Sequence, residues 1–243
     1  MTVAVGYGAK KFKINKDLLT SHSGHFNAVL SGGWSAAKNG AVQLQNTSVG
    51  AFTLFNNWLH HGHTWTQRLH DANESGNNTA RDMKNMILEM GTGKGPLHAM
   101  DTITEDDVKV CVEAFMLGYE FRSEAFRNTV IDFLAGVELM SIQMCTSYDI
   151  VRMVYRDTDD RSPLRRLVVD LILGRPAHNV CTTEIGRGKA GVLLHGLFVD
   201  VNQRLLKIQE RRTAGQQGKD VKKKTCALYH GHEEGHHDCH RAT

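Results

Sequence analysis

Lys11-Phe12-Lys13-Ile14-Asn15-Lys16-Asp17-Leu18-Leu19 opens the stretch, running on to His63, around which the rest of the chain is organised. Phe12 and Ile14 alternate with Lys11 and Lys13, and Val42 and Leu44 alternate with Gln43 and Gln45, so each segment buries one face of a pleated strand. Between them Leu18, Leu19, Phe26, Val29 and Leu30 recur at helical spacing until Ser31-Gly32-Gly33. After the second strand, Ser48 is placed to cap a helix with Phe52, Phe55, Trp58 and Leu59 on one face, and Gly62 is expected to end it. The order is strand, helix, strand, helix. Upstream, Val3, Val5 and Tyr7 alternate with small residues, and Gly6 and Gly8 permit a tight reversal, which predicts a hairpin into Lys11.

Beyond Gly62 the pattern changes. Residues 64–103 hold two turn-rich clusters, 71–78 and 91–96, around the short amphipathic piece Met83, Met86, Ile87 and Met90, and are expected to form a mobile surface insertion. Helical order resumes at Thr104, where Asp106 and Asp107 put negative charge on the positive end of a helix dipole. Val108, Val112, Phe115 and Tyr119 follow on one face, and Phe126, Val130, Phe133 and Val137 repeat the pattern. Ile150, Val151, Val154 and Tyr155 form a further stripe. Ser162-Pro163 is a cap with proline at the first helical position, ahead of the apolar face Leu164, Leu167, Val168, Leu171 and Ile172. A last helix carries Leu194, Leu197, Phe198, Val201, Leu205 and Ile208 and fades into Glu210-Arg211-Arg212.

At 243 residues the chain is long enough for a full core, and 41% hydrophobic with 23% charged residues is ordinary for a folded domain. A net charge of +3 is too small to define a nucleic-acid surface. No basic N-terminal region precedes an apolar core, and no apolar run approaches about 18 residues, so the protein is expected to be intracellular, in nucleus or cytoplasm, without a membrane span. Five scattered cysteines do not make a secreted disulfide framework, and three of them, Cys111, Cys145 and Cys181, lie in apolar contexts that suit small buried hydrophobes.

The segments 11–19, Ser23-Gly24-His25-Phe26, Gly32-Gly33-Trp34, Val42-Gln43-Leu44 and Phe52-Thr53-Leu54-Phe55-Asn56-Asn57-Trp58-Leu59, in that order, resemble the BTB/POZ domain, and most of all the BTB group of filamentous fungi. Arg127-Asn128-Thr129-Val130-Ile131-Asp132 after a Tyr-bearing helix, and Tyr155, Thr158 and Ser162-Pro163-Leu164-Arg165-Arg166, extend that likeness along most of the chain. The resemblance implies an α+β fold, a small β-sheet flanked by a helical cluster, over residues 1–140, followed by an α-helical C-terminal extension over 141–212 and a basic, Cys/His-rich tail over 213–243. It implies a non-enzymatic interaction module that associates with itself or with other proteins, with a cullin-type ubiquitin-ligase scaffold among the partners to consider. BTB domains that form swapped dimers carry a helix and a strand ahead of the hairpin, and here the chain begins almost at the hairpin.

One cluster has ligand-like chemistry. Cys226, His230, His232 and Cys239 supply two thiolates and two imidazoles, the preferred ligands of tetrahedral zinc, although a single residue between the two histidines is tighter than a standard finger. A structural zinc site and a polar tail that binds nothing are both open. Lys219, Lys222, Lys223 and Lys224 after Arg211 and Arg212 read as a solvated linker or, with zinc in the tail, as part of a nucleic-acid-associated transcriptional regulator. No aromatic stacking platform accompanies that charge, so nucleic acid is the lesser expectation. Gly91-Thr92-Gly93-Lys94-Gly95 lacks the first glycine and the hydroxyl residue of a phosphate loop. Ser21-His22-Ser23 and His60-His61-Gly62-His63 sit in no nucleophile elbow, and no catalytic residues are assigned. Asp157, Asp159 and Asp160 lack the glycine and terminal glutamate of a calcium loop and read as turn residues.

Overall fold

The structure, a computed structural model, describes residues 1–31, 40–75, 104–145, 147–173 and 193–213, together with Tyr229. Strands β1 (Thr2–Val5) and β2 (Lys10–Lys13) form the predicted antiparallel hairpin, with Thr2 opposite Lys13 and Val5 opposite Lys10. Gly6 takes a left-handed φ of 72°, as a glycine there allows. The second left-handed position is Ala9 (φ 47°) and not Gly8, and the Ala9 N–H donates to the Gly6 carbonyl at 3.0 Å.

The single periodic run after β2 is in fact two helices, α1 (Lys16–His22) and α2 (Gly24–Ser31). Ser23 is extended, at φ −139° and ψ 111°, and its buried hydroxyl donates to the Phe121 carbonyl at 2.7 Å while accepting from the Phe26 N–H at 3.3 Å. A partner 98 residues away breaks the helix and caps the next one. Strand β3 (Ala41–Leu44) then returns to pair parallel with β1, Thr2 beside Ala41, which gives the order β2-β1-β3. Parallel neighbours need a crossover, and α1 and α2 lie in it.

Helix α3 (Val49–Ser75) starts where Ser48 Oγ accepts from the Ala51 N–H at 3.4 Å, but it does not end at Gly62. A Cβ on Gly62 would lie 2.6 Å from Nε1 of Trp58, so this glycine admits the indole across the helix instead of terminating it. The expected insertion therefore begins inside a helix, and its remainder, 76–103, lies outside the described residues, as does Gly32-Gly33-Trp34. Helix α4 (Glu105–Glu120) opens on a full capping box: Thr104 Oγ1 accepts from the Asp107 N–H at 3.2 Å, and Asp107 Oδ2 accepts from the Thr104 N–H at 2.8 Å. Helix α5 (Glu124–Cys145) passes without a break through the expected boundary at 140. Helices α6 (Tyr148–Asp157), α7 (Pro163–Leu173) and α8 (Leu193–Thr213) complete the described chain, so the fold is α+β, mostly helical with one three-stranded sheet.

The core is centred on aromatic rings. Phe55 meets Phe121 at 5.0 Å and Phe126 at 5.1 Å, Phe26 meets Phe121 at 4.9 Å, and Trp58 lies 5.3 Å from Phe126. Each fully buried ring contributes about 1.5–3 kcal/mol of transfer free energy. Val3 and Val5 of β1 face the same core, and it continues without interruption into Ile150, Val154, Leu164, Leu167 and Leu197. The last helices thus extend the core instead of hanging from a linker. Cys111 is buried within it, as its apolar context predicts.

Candidate interaction groove

Three stretches far apart in the chain enclose a surface groove of about 590 Å³. The first wall is the turn between β3 and α3, where Thr47 N–H donates to the Leu44 carbonyl at 3.4 Å and Asn46 Oδ1 accepts from the Tyr7 hydroxyl at 3.0 Å. Gly50, just beyond, admits Val110 of α4, whose Cγ1 would sit 3.2 Å from a Cβ there, so the turn lies tight on α4. The second wall is one face of α4. Glu113, Met116, Leu117 and Glu120 follow at three, one and three residues, which brings them to one side of a helix.

The third wall is the turn between α6 and α7, and a buried arginine holds it. Arg165 is only 8% exposed; it donates to Thr158 Oγ1 at 3.2 Å, to the Tyr155 carbonyl at 3.0 Å, to the Thr158 carbonyl, and to Asp160 at 2.6 Å. Its guanidinium also lies 4.7 Å from the centre of the Tyr155 ring. Ser162, 1% exposed, caps α7 by accepting from the Leu164 N–H at 3.3 Å, and Asp159 accepts from the Arg161 N–H at 2.9 Å. This fan of donors fixes where Asp157 and Asp159 stand on the rim.

The lining is acidic, with no lysine, arginine or histidine among its residues. Asp157 is engaged by Arg156 through two bonds of 2.6 Å, and Asp159 is held in its own turn. Glu113 is half-buried and Glu120 exposed, and neither makes a hydrogen bond or ion pair among the described residues. Ala51, Met116 and Leu117 form an apolar floor between the carboxylates. The hydroxyls of Ser48 and Ser162 are occupied as helix caps. The arrangement is suited to recognition of a cationic ligand with an apolar component.

A second surface lies on α8. Its inner side packs Leu197 and half-buries Val201 and Ile208, with Arg204 held by Asp170 through bonds of 2.6 and 3.0 Å. Tyr229 is 7% exposed and donates to the same Asp170 at 2.8 Å. The Tyr155 hydroxyl donates to Asp200 at 2.8 Å; burial first, and then that carboxylate, push its pKa well above the ordinary phenol value. Phe198 and Leu205, which share the apolar set of this helix in the sequence, point outward with Val199 and Leu206, Phe198 at 52% and Leu206 at 59% exposure.

Of the sequence-predicted sites, Cys226, His230, His232 and Cys239 lie outside the described residues, as do Lys219 to Lys224 and Gly91 to Gly95. Among the described residues no group of three His, Cys, Asp or Glu side chains is placed to hold a metal ion, and no helix is long and apolar enough to cross a membrane. Asp159 and Asp160 lie in the turn as expected, whereas Asp157 is the last residue of α6, and each is engaged by an arginine or a backbone N–H. His22 packs edge-on against Trp58 at 5.3 Å, and Ser23 is consumed by the cap of α2. Sequence reasoning missed Arg165 and the groove. Arg165 carried two signals, its place in the resembling run Ser162-Pro163-Leu164-Arg165-Arg166 and its position on an otherwise apolar helix face, but neither assigns it a role.

No family model, no curated protein and no solved structure matches this chain.

Proposed function

We propose that this chain is a non-enzymatic protein-interaction module of the BTB/POZ type, associating with itself or with other proteins. The observation that carries the reading is the chain order hairpin, two helices, parallel return strand and long helix, with β1 central in the sheet. The resemblance implies a small sheet flanked by helices and then a helical extension, and this order is compatible with that; the split of the first helix and the parallel pairing of β3 go beyond what it implies. The outward stripe on α8 and the acidic groove support the same reading, because an exposed apolar patch and a charged groove are surfaces that a partner can bury. A role as a ubiquitin-ligase substrate adaptor is the more specific form of the proposal, with a cullin-type scaffold as its partner.

The test joins light scattering of the purified protein at micromolar concentration to native affinity purification with quantitative mass spectrometry. Self-association or a stoichiometric protein partner is the expected result, and recovery of a cullin-type scaffold would specify the adaptor role. A monomer that recovers no partner would sink the reading. Zinc measured on the same eluate, with alanine at Cys226 and Cys239 as the control, tests the tail ligands.

A further inference from the structure

We infer that the groove between the β3–α3 turn, α4 and the α6–α7 turn binds a lysine- or arginine-bearing polyproline-II segment of a partner protein, with two basic side chains three residues apart set against Glu113 and Glu120. The inference rests on the interaction-module reading only in taking the ligand to be protein; the charge and the shape belong to the groove itself.

The argument is one of complementarity. At about 590 Å³ the groove falls in the range of sites that take a small ligand or a few residues of a peptide. Its side chains offer carboxylates and no compensating cation, so a basic group is the one charge it can receive without repulsion. Asp157 and Asp159 are already engaged, which leaves Glu113 and Glu120 to form the new pairs. These two are seven residues apart on α4, about 10 Å along its axis. A polyproline-II segment has three residues per turn and rises about 9 Å over them, so basic side chains in a basic-x-x-basic spacing fall on one face and match both carboxylates. Met116 and Leu117 lie between them and take the aliphatic stems of lysine or arginine, or an apolar side chain in the middle of the segment. The Tyr119 ring, which also lines the groove, is already covered by the Arg127 guanidinium at 4.0 Å, so the ligand's basic groups are left to Glu113 and Glu120.

The experiment uses fluorescein-labelled peptides and the full chain. One peptide carries two arginines separated by two residues around a central leucine, a second carries the same residues with the arginines adjacent, and a third has glutamates in their place. Anisotropy is read at low and at raised salt, with spermine as a competitor, on the wild type, on Glu113→Gln with Glu120→Gln, and on Asp106→Asn, an exposed carboxylate at the other end of α4. The spaced peptide is expected to bind, the paired glutamine substitutions to weaken it about tenfold or more, and Asp106→Asn to change it less than twofold. The inference is overturned if the spaced peptide does not bind, if the adjacent-arginine peptide or spermine binds as tightly, or if Asp106→Asn weakens it as much as the groove substitutions do. Light scattering on the same samples separates this from the broader reading. A self-associating protein that ignores the peptide refutes the groove alone, and a monomer without partners that binds it refutes the module alone.

Discussion

Replacing Arg165 by methionine tests the account of the α6–α7 turn directly. Methionine keeps most of the buried stem and removes the guanidinium, so what is lost is the fan of bonds to Thr158, Tyr155 and Asp160 and the contact with the Tyr155 ring. Leaving the buried Tyr155 carbonyl without its donor costs about 1–3 kcal/mol. The cation–π contact adds about 1 kcal/mol. The pair with Asp160, whose side chain is 94% exposed, adds less than about 1 kcal/mol. The sum is about 3 kcal/mol, which for a chain of this size lowers the melting temperature by roughly 10 °C. Arg165→Lys should recover only a fraction, because three donors on one nitrogen cannot reach the acceptors that the guanidinium meets from Nε, Nη1 and Nη2. Arg166→Met, one residue on and exposed, should stay within about 0.5 kcal/mol of wild type. Urea unfolding followed by circular dichroism gives all three values. A loss below about 1 kcal/mol for Arg165→Met, or full rescue by lysine, would refute the reasoning. With the turn loosened, basic peptide binding at the groove should weaken as well.

Gly62→Ala should destabilise although alanine is the better helix former: its Cβ would meet the rigid Trp58 indole at 2.6–2.9 Å, and overpacking of about 1–3 kcal/mol exceeds the gain of about 1 kcal/mol in propensity. A raised midpoint in urea would contradict that placement of the indole. Thr104→Ala removes one half of the capping box of α4 and should cost about 1 kcal/mol, while Thr104→Ser should be close to neutral. For Tyr155 the sign follows from its raised pKa. The folded state keeps the phenol protonated while the unfolded chain ionises near pH 10, so its contribution is complete below about pH 10 and is lost progressively above it. Tyr155→Phe should therefore lower stability at neutral pH and flatten its decline between about pH 10 and 12, which urea midpoints across that interval would check.

Features that depend on neighbours within a few residues were legible in the sequence. Thr104 and Asp107 cap each other, Ser48 and Ser162 accept from N–H groups two or three positions ahead, and the alternation Val3, Val5 marks the face that β1 buries. The stripe Ile150, Val151, Val154 and Tyr155 is buried as its spacing predicts, because one helix face meets one core. Where the deciding partner is distant, local reading failed in identifiable ways. Gly62 has the chemistry of a helix end, yet its place is set by an indole that donates to Thr129, 71 residues beyond Trp58. Ser23 sits in a continuous helical period, and only the Phe121 carbonyl makes it a break. Phe198 and Leu205 share a helix with Leu197 and Val201, but which side faces inward depends on α6 and α7, to which α8 is tied through Asp170 and Asp200.

Local sequence sets the alternation of strands and helices, the caps and the composition of the core, since backbone propensity and hydrophobic period act over a few residues. The parallel pairing of β1 with β3, the burial of Arg165 and the meeting of Asn46, Glu113 and Asp159 around one groove come from long-range packing alone. Those depend on packing between segments whose separation along the chain carries no local signal, and the charge that gathers in the groove is a sum over three such segments.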